Sequence, residues 1–141
     1  MIYITKENLI SGAFERFIDE SSQDHANVLD EVEMENIELI KGYIASRYGV
    51  DEIFSPLLPI KNVILERILK KLVLFDLIRR NAGRKVPTDY KEEYDKAIEL
   101  LEKISTGRIK LEGLPSPTDN NGNPIESTSL WGNTTNKNLY I

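Results

Sequence analysis

The sequence predicts an all-α single domain of about four main helices followed by an extended C-terminal arm. Three observations predict it. Apolar residues recur at three- and four-residue spacing in four separate stretches. Gly and Pro gather between those stretches, at Gly49, Pro56, Pro59, Gly83, Pro87 and Gly107. From Leu114 the composition turns to Pro, Gly, Asn, Ser and Thr, too poor in apolar residues to build a core. A chain of 141 residues is the length of one domain. The division expected is a helical domain over residues 1–113 and an arm over 114–141.

Each element follows in order. Thr5 is a good N-cap, its hydroxyl able to accept from an unpaired amide of the first turn. After it Leu9, Ile10, Ala13, Phe14, Phe17 and Ile18 form one apolar stripe. Ser21 to Asn27 is polar and reads as a loop. The second helix is expected from about Val28 to Tyr48, buried along Ile37, Ile40, Ile44 and Tyr48, with Gly49 as its C-terminal stop. Its acidic first half and later Lys41 and Arg47 suit the helix dipole. Residues 50–59 read as a loop, and Pro59 is placed to open the third helix, about Ile60 to Asn81. That helix is apolar around most of its circumference. It is therefore expected either at the centre of the fold or, the preferred reading, covered on its remaining face by another subunit. Thr88 or Asp89 caps a fourth helix, buried along Tyr90, Tyr94, Ala97, Ile98, Leu101 and Ile104 and ended by Gly107. Arg108 to Glu112 alternates polar and apolar residues, the pattern of a short strand near 108–112.

Composition excludes much chemistry. There is no Cys, hence no disulfide, thiol nucleophile or Cys zinc site. The single His, His25, makes a Ser-His-Asp triad a poor expectation. No Gly-rich phosphate loop is present. The run Asp30, Glu31, Glu33, Glu35 and Glu38 lacks the spacing of a calcium loop and reads as a solvated or inter-subunit face. The expectation is a non-enzymatic protein without cofactor or metal. The start, MIYITKENLI, lacks the features of a signal peptide. The stretch Ile60 to Ile78 carries too many charges to span a membrane. The protein is expected in the cytoplasm, or in a particle assembled there.

Charge is uneven. Residues 1–55 hold 4 basic and 12 acidic side chains, a net of −8, while residues 56–113 hold 13 basic and 9 acidic, a net of +4. A protomer with an acidic and a basic side is suited to head-to-tail association with its own copies.

Several short stretches, in this order, carry a resemblance. They are Tyr3-Ile4-Thr5-Lys6-Glu7-Asn8-Leu9-Ile10, Ala45-Ser46-Arg47-Tyr48, Pro56-Leu57-Leu58-Pro59, and the helix ending Leu77-Ile78-Arg79-Arg80. Tyr94-Asp95-Lys96-Ala97 and Leu100-Leu101-Glu102-Lys103-Ile104-Ser105-Thr106-Gly107 follow, leading into Lys110-Leu111. Over about residues 1–113 the chain resembles the small tailed-bacteriophage head–tail adaptor family (connector or head-completion proteins) of the Mu-like type. It departs from the family pattern in the stretch Gly49 to Ser55, read as an insertion, and in the 28 residues beyond Gly113. The resemblance implies a virion protein at the head–tail interface, assembled in the host cytoplasm. It implies a self-associated ring, usually a dodecamer, on the portal protein, offering a docking surface to a tail-side or stopper protein. It also implies transient proximity to packaged DNA and no contact with membrane.

The partner-interface residues expected are of two kinds. Trp131, the only Trp, lies with Leu130, Leu139, Tyr140 and Ile141 in a segment with no core of its own, and large aromatics commonly anchor interfaces. Arg79, Arg80, Arg84 and Lys85 are the densest basic cluster, placed either to clamp acidic side chains of a partner or to face DNA. The alternative reading is a helical DNA-binding regulator using this Arg79–Lys85 cluster, against which the acidic pI near 5.0 counts.

Overall fold

A computed structural model describes residues 2–10, 27–80 and 87–118. Helix α1, Lys6–Ile10, opens on the expected cap. The Asn8 amide donates to Thr5 Oγ1 at 3.3 Å and the Thr5 amide to Asn8 Oδ1 at 2.9 Å, a reciprocal box with Asn in the usual Glu position. The rest of the expected first stripe, Ala13 to Ile18, lies outside the described residues.

Helix α2, Val28–Ile44, ends four residues before the expected Tyr48. The amides of Arg47 and Tyr48 both turn back to the Ile44 carbonyl at 3.0 Å. Gly49 is not a left-handed stop. Its φ is −76°, and it begins a short helix α3, Val50–Ile53, inside the stretch read as a loop. The stretch read as an insertion thus supplies two buried residues, Ile53 and Phe54.

Helix α4, Val63–Arg80, starts later than expected, and Pro59 lies outside it. Asn62 caps it instead, its Oδ1 accepting from the amides of Ile64 at 3.0 Å and Leu65 at 3.2 Å. Helix α5, Thr88–Ser105, is preceded by Pro87, so neither Thr88 nor Asp89 is the cap. Gly107 does end it. At φ +82° it occupies the left-handed position. The Arg108 amide reaches the Lys103 carbonyl at 2.9 Å and the Gly107 amide the Ile104 carbonyl at 3.1 Å, the paired closure of a Schellman motif. That closure also removes the short strand expected at 108–112. The amides of Arg108 and Ile109 are both spent on Lys103, that of Leu111 on the Tyr48 hydroxyl at 2.8 Å. Among the described residues no extended strand is formed.

Helices α2, α4 and α5 pack pairwise, and α1 lies on α4. As the apolar pattern required, α4 is the central element: Leu65, Ile68, Leu69, Leu72, Val73 and Leu77 are all buried. Its cover comes largely from this chain. Helix α2 contributes Val32, Ile37, Ile40 and Ile44 to the same core, and α5 contributes Ala97, Leu101 and Ile104. Phe75 of α4 stacks on Tyr94 with ring centroids 4.3 Å apart.

The N-terminal segment is held by a carboxylate. Glu33, 1% exposed, accepts from the amides of Ile2 at 2.5 Å, Tyr3 at 2.9 Å and Ile4 at 2.8 Å. Glu33 is thus no part of a solvated acidic face. What makes the burial of this carboxylate tolerable is that three donors replace water around its two oxygens.

Candidate interaction surfaces

Tyr3 fixes one corner of the molecule. Its buried ring lies 4.8 Å from Phe54, centroid to centroid. The hydroxyl donates to the Ile60 carbonyl and accepts from the Asn62 amide, both at 2.8 Å. Burial pushes this hydroxyl up to about 12; the Asn62 amide opposes that shift and the charge of Glu66 adds to it. Lys61 lies over the same ring, 4.6 Å from its centroid, and its ammonium donates to the Tyr3 carbonyl. The Ile60 amide closes back on the Ile53 carbonyl at 2.9 Å.

The chain between Ile53 and Ile60 is therefore pinned at both ends. Between the pins, Pro56-Leu57-Leu58-Pro59 turns its two leucines outward. Leu57 is 90% and Leu58 81% exposed, and at the start of α4 Val63 is 79% exposed, with Ile64 partly so. Four exposed aliphatic side chains within eight residues exceed the scattered apolar residues of an ordinary surface. Val63 and Ile64 belong to the apolar circumference that the sequence predicts for the third helix. Sequence reasoning used Pro-Leu-Leu-Pro only as a family signature. The missed signal was the pair of leucines between prolines, which no helical or strand period can bury.

The Arg-Tyr pair of the resemblance has a structural task. Arg47 Nε donates to the Ser105 carbonyl at 2.7 Å, placing a cation at the C-terminus of α5. Its guanidinium lies against Gly107, where a Cβ would come within 2.8 Å of it. Tyr48 holds Leu111, as described above. The following residues lie against the α2–α3 junction: the Gly49 amide donates to the Pro115 carbonyl at 2.9 Å, and a Cβ on Gly49 would stand 3.0 Å from the Ser116 carbonyl. Gly49 thus permits a close backbone approach.

The residues expected to meet partners divide sharply. Trp131, Leu130, Leu139, Tyr140 and Ile141, with Arg84 and Lys85, lie outside the described residues. Arg79 and Arg80 are described, and both pair within the chain. Arg79 is 3.5 Å from Asp76; Arg80 is 3.2 Å from Glu35 and 3.9 Å from Glu31, tying the end of α4 to the acidic side of α2. Glu38 is bridged by Lys41 at 2.9 Å. Asn36, buried beneath them, donates to Asp76 at 2.8 Å and to the Val32 carbonyl at 2.9 Å. The acidic run is thus partly neutralised by the chain's own cations. Tyr43, Tyr48, Tyr90 and Tyr94 are half-buried and pack against the core.

A further surface lies between α4 and α5. Arg67, Lys70, Lys71, Leu74, Tyr90 and Glu93 line an open cleft of about 350 Å³. Lys71 bridges to Glu93, and that hydrogen bond, with Lys96 3.4 Å away, holds the Glu93 carboxyl below its usual range. No described helix is long and apolar enough to cross a membrane.

No individually curated protein matches the chain. The family model described as Bacteriophage Mu, Gp36 matches residues 3–127, so the likeness crosses the Gly49 to Ser55 stretch and runs past the Gly113 limit expected from sequence. The chain belongs to the bacteriophage Mu Gp36 family and is a phage structural or assembly protein.

Proposed function

We propose that the protein is a non-enzymatic head–tail connector subunit. It forms a multi-copy ring on the portal and docks a tail-side or stopper protein at the head–tail interface of the virion. The observation that carries this reading, beside the family, is the pinned corner of Leu57, Leu58, Val63 and Ile64. A monomer gains nothing from holding four aliphatic side chains in water on a hydrogen-bonded frame. A subunit that must bury them against a partner gains a pre-organised anchor, because little ordering entropy remains to be lost on docking. The C-terminal segment, with Trp131 and Leu139-Tyr140-Ile141, supplies a second apolar contact.

The test is co-sedimentation of the full chain with the purified portal protein of the same phage. Co-migration is expected for the natural sequence, and its loss for the double substitution Leu57→Ser, Leu58→Ser. A chain that stays behind at every concentration refutes the reading. So does a double variant that binds as well as the natural sequence.

A further inference from the structure

The chain leaves the described fold beside the exposed corner. The Pro115 carbonyl accepts from the Gly49 amide, Pro117 is buried, and Pro117 and Thr118 line a small cleft with Val50, Asp51 and Glu52 of α3. Helix α3 leads directly into Ile53 to Ile60, the pinned segment that carries Leu57 and Leu58. Residues 119–141, with Leu130 and Trp131, follow outside the described residues.

Two properties match the stretch around Trp131 to this corner. The first is charge. Ser127 to Asn136 carries none, and neither does Pro56 to Ile60. Laying one on the other takes no ion out of water, whereas burying an unpaired charge is costly. The other large exposed apolar residues among the described ones, Met34 and Leu39, stand on separate faces of α2 with carboxylates between them. The second property is reach. Twelve residues lead from Thr118 to Leu130 and span at most about 40 Å. A small domain is about 30 Å across, so the stretch is long enough to cross to an adjacent copy.

With one copy present the corner stays in water, Leu57 at 90% and Leu58 at 81% exposed, so a cover must come from another molecule. We propose that Leu130 and Trp131 of one copy dock on the Leu57–Leu58 corner of the next. A large flat indole is suited to covering two neighbouring leucines on a frame already held by hydrogen bonds. The joint pairs two different surfaces, so each copy gives one and receives on the other. Such joints propagate head to tail and close into a ring when the rotation between copies allows. The inference names the occupant of the corner, and it rests on the connector reading in that copies must stand side by side. The loss of portal binding expected of Leu57→Ser, Leu58→Ser then follows from loss of the joint between copies.

The test reads the emission of Trp131, the only Trp of the chain. An indole that moves from water into an apolar contact emits at shorter wavelength. In the natural full-length chain this shift is expected to grow with concentration, together with association followed by sedimentation velocity. Leu57→Ser with Leu58→Ser is expected to keep its helix content by circular dichroism, lose the shift, and associate at least about tenfold more weakly. A second variant, Trp131→Ser, has an intact corner and no Trp. Added to the first, it is expected to restore the shift, because the only indole present then finds a corner. That mixture should stop at a one-to-one pair, since it holds a single live joint. A Trp131 that emits as in water at every concentration overturns the proposal. So does a shift independent of concentration, which places the contact within one chain. A shift that survives Leu57→Ser, Leu58→Ser overturns it as well, as does a mixture that shows no shift or grows beyond the pair. Portal binding of the same samples separates the two readings. A natural chain that binds the portal while Trp131 stays in water overturns this joint alone. A concentration-dependent shift, lost in the corner variant, in a chain that ignores the portal supports the joint and overturns the connector role alone.

Discussion

Replacing Glu33 with Ala removes the acceptor of three backbone amides at once. Those of Tyr3 and Ile4 are buried, and water cannot replace the carboxylate there without opening the structure. A stranded buried donor costs about 1–3 kcal/mol, which puts the two together at about 2–6 kcal/mol. The chain has one escape. Residues 2–4 can detach, forfeiting the burial of Tyr3 and Ile4 at about 1.5–3 kcal/mol each, which caps the loss at a similar figure. The expected destabilisation is therefore about 3–5 kcal/mol, a large share of the 5–15 kcal/mol that holds a typical domain. Glu33→Gln keeps one carbonyl acceptor and is expected to lose roughly half as much. Urea unfolding of the full chain measures both. Amide exchange at Tyr3 and Ile4 reports whether the segment has let go. A Glu33→Ala protein within about 1 kcal/mol of the natural one, with both amides still protected, would refute the reasoning.

Three further outcomes follow from the same contacts. Tyr3 holds its proton more tightly when folded than when unfolded, so the stability it contributes is complete below pH 10 and is lost as pH rises from 10 towards 12. The difference in unfolding free energy between the natural chain and Tyr3→Phe should shrink over that window by about 2–3 kcal/mol, and a difference flat with pH contradicts it. Gly107→Ala forces an L residue into the left-handed region and displaces the Arg47 guanidinium from its place. A loss of about 2–3 kcal/mol is expected in a thermal melt, with Arg47→Ala accounting for about 1 of it; a melt unchanged by Gly107→Ala contradicts the assignment. Leu57→Ser with Leu58→Ser should leave the melting temperature within 2 °C or so, because both side chains are already in water, yet cost partner binding about 3 kcal/mol or more. Equal losses in folding and binding would show that the corner is structural.

The fold was legible where periodicity and one special residue agreed. The stripe of α5, its Gly107 terminus and the central role of α4 all follow from spacing, because a helix buries what it repeats. Boundaries set by side-chain capping were not. Asn62 rather than Pro59 starts α4, and only its contact with two amides decides that. The turn at Gly49 was misread because Gly serves both as a left-handed stop and as the place where another backbone comes close, and sequence does not distinguish them. Glu33 sat in a run of carboxylates that looks uniformly solvated; its burial depends on a segment thirty residues away. Of the interface, Arg79 and Arg80 were legible as a basic cluster, but not Arg79 as the partner of Asp76 nor Arg80 as that of Glu31 and Glu35, because charge content does not reveal which ions already face one another. The exposed leucines had a local signal, since a doublet between prolines has no periodic face to hide in.

The central claim is that this chain extends the portal as a ring. Its most direct test is electron microscopy of particles purified after the full chain and the portal protein of the same phage are made together. The account predicts an added ring of density beneath the portal, present with the natural chain and missing with Leu57→Ser, Leu58→Ser. Bare portals with this chain left in the unbound fraction would contradict it.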